Sequence, residues 1–281
     1  MQVQSFISVA QQFKAVFLDS YGVLKNYNGL IEGVQQTIDV LRSRNVTIRI
    51  LTNDASRSQL QQAESFYSLG LHNIYESEII TSGMMAKQFL QQKILDGKIA
   101  YLGTENSAHY ILQSGLEHIP VSDVDLKKLD NISAFVFLDD EGFDWNTDIN
   151  KTVNLLRHKN LPVIVANSDK FYPVSKNDVA VATGGIAKLV ENMLNKKFIH
   201  FGKPDSQMFM YAYDQLSAIG NFGKQEILMV GDTLQTDILG GNKFGVKTTL
   251  VLSGNTSAED AELQINATGI IPDYVCESII S

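Results

Sequence analysis

The stretch VFLDSYGVL, residues 16–24, decides the fold class of this chain. Its apolar first half predicts a strand that is covered on both faces, and this strand ends at Asp19. Gly22 then permits a sharp turn. A carboxylate at the end of a buried strand can be a nucleophile or a metal ligand, although a turn or capping role is the alternative.

Strand patterns of the same kind alternate with helical patterns along nearly the whole chain. Helical spacing of apolar residues predicts helices at 34–44 and 185–197. This alternation predicts an α/β fold with a Rossmann-like parallel sheet, whose ligand site lies at the carboxyl ends of the strands. The predicted strands are residues 13–19, 46–52, 98–103, 134–140, 161–167, 197–202, 226–232 and 247–253.

Polar residues follow two more of these strands. In IRILTNDASRS, residues 48–58, Thr52 and Asn53 end a strand before a helix that Ser56 is expected to begin. A hydroxyl, an amide and a helix N-terminus can together hold phosphate oxygens, and helix capping is the alternative. In HFGKPDSQMF, Lys203 could neutralise a phosphate and a nearby carboxylate, or it could be a solvated surface lysine.

A fourth segment, ILMVGDTLQTDILGG, covers residues 227–241. Its strand ends at Asp232, and Asp237 follows where the next helix is expected to begin. Two carboxylates at this spacing fit a hard cation that is held by oxygen ligands. Solvent-facing aspartates that cap a helix are the alternative.

Composition and charge exclude several classes of function. The 281 residues carry a formal net charge of -8, which disfavours binding to nucleic acid or to anionic membranes. Cys276 is the sole cysteine, so no disulfide can form within the chain. No apolar run approaches the roughly 18 residues of a membrane span, and the N-terminal residues lack a secretory signal pattern. We therefore expect a cytoplasmic protein.

The four segments together resemble the motifs of the haloacid dehalogenase (HAD) superfamily. The order is Asp19, then Thr52-Asn53, then Lys203, then the Gly-Asp pair ending at Asp232, each after an apolar strand. The length of chain between the second and third motifs is similar to that of the NagD-like branch, class IIA. That branch carries an α/β cap domain at this point. The resemblance implies a core of residues 1–82 and 184–281 with a cap inserted at 83–183.

The resemblance implies a Mg²⁺-dependent phosphatase in which Asp19 attacks phosphorus and forms an aspartyl-phosphate. Lys203, Thr52 and the amide of Asn53 would hold the phosphoryl oxygens. The implied Mg²⁺ ligands are Asp19, the backbone carbonyl of Tyr21, Asp232 and Asp237. Lys203 and Tyr21 complete the implied catalytic set with Asp19.

Tyr21 departs from the family motif. HAD phosphatases usually have an aspartate here, which protonates the leaving alcohol and then activates water. A phenol, with a pKa near ~10, is a poor base at neutral pH. We expect slow turnover, a substrate with a good leaving group, or a proton donor from the cap.

Two alternatives therefore stay open. The first is a phosphate-binding or regulatory protein that has lost catalysis. The second is a 2-haloacid dehalogenase, whose first motif also reads Asp-x-Tyr. Such dehalogenases need no Mg²⁺ and carry their cap between the first two motifs, where this chain has no room.

The resemblance also indicates the class of substrate. Asn167 and Asp169 match cap positions that face the active site in relatives, and an Asx turn is the alternative. The expected substrate is a small phosphorylated metabolite, such as a sugar phosphate, nucleotide, glycerol phosphate or pyridoxal phosphate. Caps in this branch often mediate dimers, so we expect a homodimer.

Overall fold

Two parallel sheets, each covered by helices, make up the protein in a computed structural model that describes residues 2–175 and 178–280. Each of the eight predicted strands is present, in most cases a few residues shorter than predicted. The strands are β1 Ala15–Leu18, β2 Lys25–Asn26, β3 Gly29–Leu30, β4 Thr47–Thr52, β5 Ile79–Thr81, β6 Lys98–Leu102, β7 Glu117–Pro120, β8 Ile132–Phe137, β9 Val163–Val165, β10 Phe171–Pro173, β11 Val179–Val181, β12 Ile199–His200, β13 Ile227–Gly231, β14 Lys247–Val251 and β15 Tyr274–Cys276.

The first sheet has six parallel strands in the order β15-β14-β13-β1-β4-β5. Alternate residues of β1 pack on opposite faces: Ala15 and Phe17 join one apolar cluster, and Val16 and Leu18 join another. Both faces of the strand are therefore buried, which explains why its sequence is a continuous apolar run. The strand order reverses at β1, so the carboxyl end of β1 lies at a switch point where ligands bind in such sheets.

The second sheet has five parallel strands in the order β12-β9-β8-β6-β7. One of its faces shares a single apolar cluster with the first sheet, and that cluster contains Phe17, Ile99 and Val136. The other face packs separately around Phe135 and Phe137. Two antiparallel hairpins, β2–β3 and β10–β11, lie outside both sheets.

The described residues contain ten α-helices, of which α1 precedes β1 and the others follow it in the chain. The predicted helices at 34–44 and 185–197 correspond to α2 and α7. None of the helices in this part of the chain has the length and apolar character that crossing a membrane requires. The helices are α1 Phe6–Ala10, α2 Val34–Ser43, α3 Gln59–Ser68, α4 Ser82–Lys93, α5 His109–Leu112, α6 Thr147–His158, α7 Thr183–Leu194, α8 Ser206–Ser217, α9 Leu239–Phe244 and α10 Ala261–Thr268.

The pairing and packing of the second sheet extend beyond residue 183, the predicted end of the cap. Helix α7 buries Ile186 and Val190 in the cluster of the second sheet, and β12 pairs with β9 of that sheet. The resemblance to the NagD-like branch implied that both elements belong to the core. We propose that the cap covers residues 83–200, with the core in the two flanking segments.

The start of α3 also differs from the prediction. Ser58, not Ser56, caps this helix: its side chain accepts from the backbone N–H of Gln61, whose side chain accepts from Ser58 in return. Ser56 instead donates its hydroxyl to Asp54 at 2.6 Å. The sequence offered two serines, and the capping box with Gln61 decides between them.

Candidate active site

Three strand ends of the first sheet bring the predicted motifs together. β1 lies between β13 and β4, so Asp19, Asp232 and Thr52 follow or end three adjacent strands. The backbone N–H of Asp19 donates to the carbonyl of Val230 in β13 at 2.9 Å. This bond fixes the end of β1 against β13, the strand that precedes Asp232. The parallel register therefore determines that these side chains share one edge of the sheet.

The Lys203 ammonium joins two of the motifs directly. Its Nζ lies 2.6 Å from Asp19 Oδ1 and 2.7 Å from Asp237 Oδ1. The Lys203 side chain is only 2% exposed and that of Asp237 is fully buried, whereas 14% of the Asp19 side chain remains accessible. Burial alone would lower the pKa of Lys203, but the two carboxylates outweigh burial and raise it. The lysine is therefore a buried, permanently charged group.

Three carboxylates surround this single ammonium. One oxygen from each of Asp19, Asp232 and Asp237 lies within 4.8 Å of the others. Burial and the charge of Asp19 raise the pKa of Asp232 to about 7, and burial also raises the pKa of Asp237 well above its usual range. Three acids facing one lysine leave an excess of negative charge, which a hard divalent cation bound by oxygen would neutralise.

Two glycines shape the surroundings of Asp232. A Cβ at either Gly22 or Gly254 would overlap the Asp232 carboxylate, so both positions require a residue without a side chain. The backbone N–H of Asn255 donates to Asp232 Oδ2 at 2.7 Å, and Thr233 Oγ1 donates to Oδ1 at 2.8 Å. The carboxylate is therefore held in one orientation by the loop that follows β14 and by the neighbouring Thr233.

The Asn53 side chain links the core to the inserted cap. Its Oδ1 accepts from the backbone N–H of Lys203 at 2.7 Å, and its Nδ2 donates to the Lys203 carbonyl at 3.0 Å and to Asp169 Oδ1 at 2.9 Å. Its own carbonyl accepts from Ser82 Oγ at 2.7 Å. The asparagine thereby holds the second motif, the third motif and the cap in a single network.

Tyr21 also contacts the cap. Its hydroxyl donates to the carbonyl oxygen of Pro173 at 2.5 Å, and its ring meets that of Tyr172 edge-on at 6.5 Å. Burial, followed by the charges of Tyr27 and Asp232, raises the pKa of Tyr21. The phenol is therefore neutral at physiological pH, and its proton is engaged by the β10–β11 hairpin.

A cavity of about 880 Å³ opens between the two sheets. It is lined by Asp19, Tyr21, Thr52, Asn53 and Asp232 from the core and by further residues of the cap. The two cap residues singled out from the sequence both line it: Asn167 and Asp169. Burial raises the pKa of this second residue, Asp169, to about 6. Asn167 Oδ1 accepts from the backbone N–H of Asp169 at 2.9 Å, which is the Asx turn that the sequence had left open.

Sequence reasoning missed several residues that shape this site. Gly254 and Asn255 follow the predicted strand at 247–253, so the strand-end argument could have found them. Asp139 also ends a predicted strand, and burial raises the pKa of its carboxyl to about 6. Lys25 and Ser82 had no comparable signal, because they come from a hairpin and from the start of a helix.

Two family models match the chain. Residues 16–117 match a model described as haloacid dehalogenase-like hydrolase, and residues 200–280 match one described as HAD-like hydrolase. A solved structure from Cytophaga hutchinsonii, titled as a possible sugar phosphatase of the HAD superfamily, is 52% identical. The match covers 100% of this chain and 99% of that one, with a TM-score of 0.97. The chain belongs to the HAD superfamily.

Within this superfamily the protein belongs to class IIA, the NagD-like branch. NagD from Escherichia coli K-12 shares the fold at a TM-score of 0.74 and 22% identity, over 96% of this chain and 98% of that one. The chloroplastic phosphoglycolate phosphatase 1A of Arabidopsis thaliana is 28% identical over 99% of this chain and 78% of its own length. This HAD protein is a phosphatase, a hydrolase that acts on phosphate esters.

Replacing Gly254 with alanine tests the role of the loop that orients Asp232. The added Cβ would displace the carboxylate, so we expect divalent-cation affinity and phosphatase activity to fall by about 10- to 100-fold. Calorimetric titration with Mg²⁺ and hydrolysis of p-nitrophenyl phosphate measure the two effects. Glu259→Ala, at an exposed position of the same loop, should behave like the parent protein. Normal affinity in the Gly254→Ala variant would contradict the assignment.

Proposed function

We propose that the protein is a Mg²⁺-dependent phosphatase that forms an aspartyl-phosphate on Asp19. The observation that carries this proposal is the buried ion triad, in which Lys203 Nζ lies 2.6 Å from Asp19 and 2.7 Å from Asp237. The Asp19 carboxylate is the accessible member of the triad and faces the cavity. A nucleophile has to reach phosphorus, whereas the groups that neutralise charge can stay buried.

The chemistry of the donor set supports Mg²⁺. Asp19, Asp232 and Asp237 offer carboxylate oxygens, which are the ligands of hard cations, and phosphatases of this superfamily use Mg²⁺. The proposed ligands are these three acids and the backbone carbonyl of Tyr21. The cation supplies neutralisation of the charge that spreads over the transferred phosphoryl group.

Different residues of the chain are proposed to supply the nucleophile and to hold the phosphoryl group. Asp19 would attack phosphorus from the end of β1, while Thr52, the backbone amide of Asn53 and the Lys203 ammonium hold the phosphoryl oxygens. Lys203 cannot move away, because both of its carboxylate partners and its backbone bonds to Asn53 fix its position. Such fixed positioning is the main contribution a protein makes to phosphoryl transfer.

Asp19→Asn should abolish turnover, because the amide is not a nucleophile. We expect p-nitrophenyl phosphate hydrolysis to fall by about 10³-fold or more, with Thr52→Val retaining more activity than Asp19→Asn. Acid quenching during turnover, followed by peptide mass spectrometry, should detect a phosphoryl group on Asp19. Removal of divalent cations by chelation should stop turnover and added Mg²⁺ should restore it. Phosphate release by Asp19→Asn at a rate similar to that of the parent protein would contradict the aspartyl-phosphate mechanism.

Tyr21 is better suited to binding the cap than to acid–base chemistry. Its hydroxyl already donates to the Pro173 carbonyl, and its raised pKa disfavours the phenolate that a general base would need. We therefore propose that Tyr21 stabilises the closed arrangement of cap and core. Proton transfer to the leaving alcohol would come from another group, or the substrate would carry a good leaving group.

Substitutions at Tyr21 separate these roles. If Tyr21 mainly holds the cap, Tyr21→Phe should change the chemical step little for p-nitrophenyl phosphate, because its p-nitrophenolate leaving group departs without being protonated. Tyr21→Asp would introduce a general acid and should raise kcat for alkyl phosphates by up to about 10²-fold. Steady-state kinetics on both ester types provide the measurement. A large loss of kcat for alkyl phosphates in Tyr21→Phe would assign the proton transfer to Tyr21 itself.

The cavity between cap and core supports a small phosphorylated metabolite as the substrate. Its volume of about 880 Å³ exceeds what a phosphoryl group needs, so a leaving group of several heavy atoms fits. Asn167 and Asp169 are proposed to contact that leaving group. Of the relatives described above, one is named as a possible sugar phosphatase and another as a phosphoglycolate phosphatase. Sugar phosphates and phosphoglycolate are therefore the first esters to assay.

A homodimer through the cap completes the proposal. The β10–β11 hairpin and α7 pack together and expose a group of large apolar side chains. We define this group as the cap patch, and its members are 49 to 60% exposed: Phe171, Val179, Val181, Leu189 and Met193. An apolar surface of this kind is typical of a site of association.

Val179→Lys should weaken the dimer, because it places a charge within the cap patch. Sedimentation velocity should report a dimer for the parent protein and a shift toward monomer for this variant. Leu263→Lys, on α10 in the core and 70% exposed, serves as the control and should leave the mass unchanged. A parent protein that sediments as a monomer at all concentrations would exclude the dimer.

A further inference from the structure

Lys25 lies beside the nucleophile but takes no part in the ion triad. Its backbone N–H donates to the Ser20 carbonyl at 3.1 Å, and its carbonyl accepts from the N–H of Gly22 at 2.7 Å. These two bonds attach the start of β2 to the loop that carries Asp19. The Lys25 side chain lines the same cavity. Its position is therefore as well defined as that of the catalytic loop.

The Lys25 ammonium lacks a counter-ion within residues 2–175 and 178–280. It makes no ion pair or hydrogen bond with another side chain there, and it lies over the face of the Phe66 ring, 5.5 Å from the ring centroid. The side chain is partly buried, and burial lowers its pKa, although the charges of Asp54 and Asp19 offset part of this effect. Buried charges are normally paired, so an unpaired ammonium that faces a cavity indicates a missing anion.

The acids around Lys25 already have other partners. Asp54 accepts from the backbone N–H and the hydroxyl of Ser56 at 2.7 and 2.6 Å and from Gln62 Nε2 at 2.6 Å, and it lies 3.5 Å from the Arg57 guanidinium. Asp19 is paired with Lys203, as described above. Lys25 is therefore not required to neutralise either carboxylate.

The cavity wall around Lys25 carries a second cation. Arg57 lies close enough to lower the pKa of Lys25 further, and its side chain is 48% exposed and lines the cavity. Asp139, a cap acid that lines the same cavity, accepts from Thr104 Oγ1 at 2.9 Å and from the N–H of Asp140 at 2.9 Å, so its oxygens are engaged. Lys25 and Arg57 thus place two cations on this part of the wall, where Asp54 pairs with Arg57 and Asp19 pairs with Lys203.

We infer that Lys25, with Arg57, binds a second anionic group of the substrate. The substrate would then be a phosphate monoester whose leaving alcohol carries a carboxylate or a further phosphate. This inference rests on the proposed phosphatase function, because the first phosphoryl group occupies the Asp19 site. Direct charge-assisted contact to Lys25 would select such esters over neutral esters of the same size.

Two matched pairs of esters test the inference on the full chain with Mg²⁺. Phosphoglycolate is compared with ethyl phosphate, and propanediol bisphosphate is compared with propyl phosphate. The measured quantity is the ratio of kcat/KM for the anionic ester to that for its neutral counterpart. We expect this ratio to exceed one for at least one pair in the parent protein, and the pair concerned identifies the anion as carboxylate or phosphate.

Lys25→Met should lower that ratio by about 10- to 100-fold, mainly through KM, because one charge-assisted contact is lost. Lys25→Arg should keep most of the preference. Lys170→Met, which removes another lysine that lines the cavity but is exposed and lies on the cap, should leave the ratio unchanged. Thermal melting verifies that each variant is folded, and Lys25→Gln replaces any variant that is not.

The outcomes distinguish this inference from the proposed function. Absence of turnover on every ester, with p-nitrophenyl phosphate included, would overturn the phosphatase mechanism on Asp19. Turnover with equal kcat/KM for the charged and neutral members of both pairs would overturn the role of Lys25 alone. An unchanged ratio in Lys25→Met would do the same. For the parent protein, rising ionic strength should increase KM for the anionic ester more than for the neutral one.

Discussion

The buried ion pairs of Lys203 are the constraint on which the rest of the site depends. A lysine that is 2% exposed is stable only beside carboxylates, and here it lies between Asp19 and Asp237. The same contacts give Asp19 a fixed position at the end of β1. One ammonium cannot balance three acids, so the site still needs a cation, and the proposed Mg²⁺ follows from this imbalance.

The topology of the first sheet explains how these residues meet. Because β1 lies between β4 and β13, its carboxyl end faces the ends of both neighbours. Lys203 comes from a different place in the chain, after the whole inserted cap, and Asn53 fixes it by bonds to both its N–H and its carbonyl. Asn53 and the ion pairs of Lys203 thus fix the point at which the chain returns to the core.

Besides the apolar cluster that the two sheets share, polar contacts at the edge of the cavity join the cap to the core. Asp169 accepts from Asn53, and Pro173 accepts from Tyr21. Both contacts join the cap to core residues that line the cavity beside Asp19. A tyrosine in place of the usual acid therefore has a physical role, because an aspartate at this position could not donate the same hydrogen bond when ionised.

The sequence by itself determined the strands, the parallel α/β class and the residues at the strand ends, because burial on both faces leaves a continuous apolar run and a polar residue must follow it. Asp19, Thr52, Asn53 and Asp232 could be found by that reasoning, and the order of motifs pointed to the family. Tertiary structure alone decided that α7 packs on the second sheet, since an amphipathic helix could cover either sheet. It also decided that the Lys25 ammonium has no ion-pair partner within the described residues and that Tyr21 contacts Pro173. Both features depend on which groups from distant parts of the chain are already paired, and the local sequence does not determine that pairing.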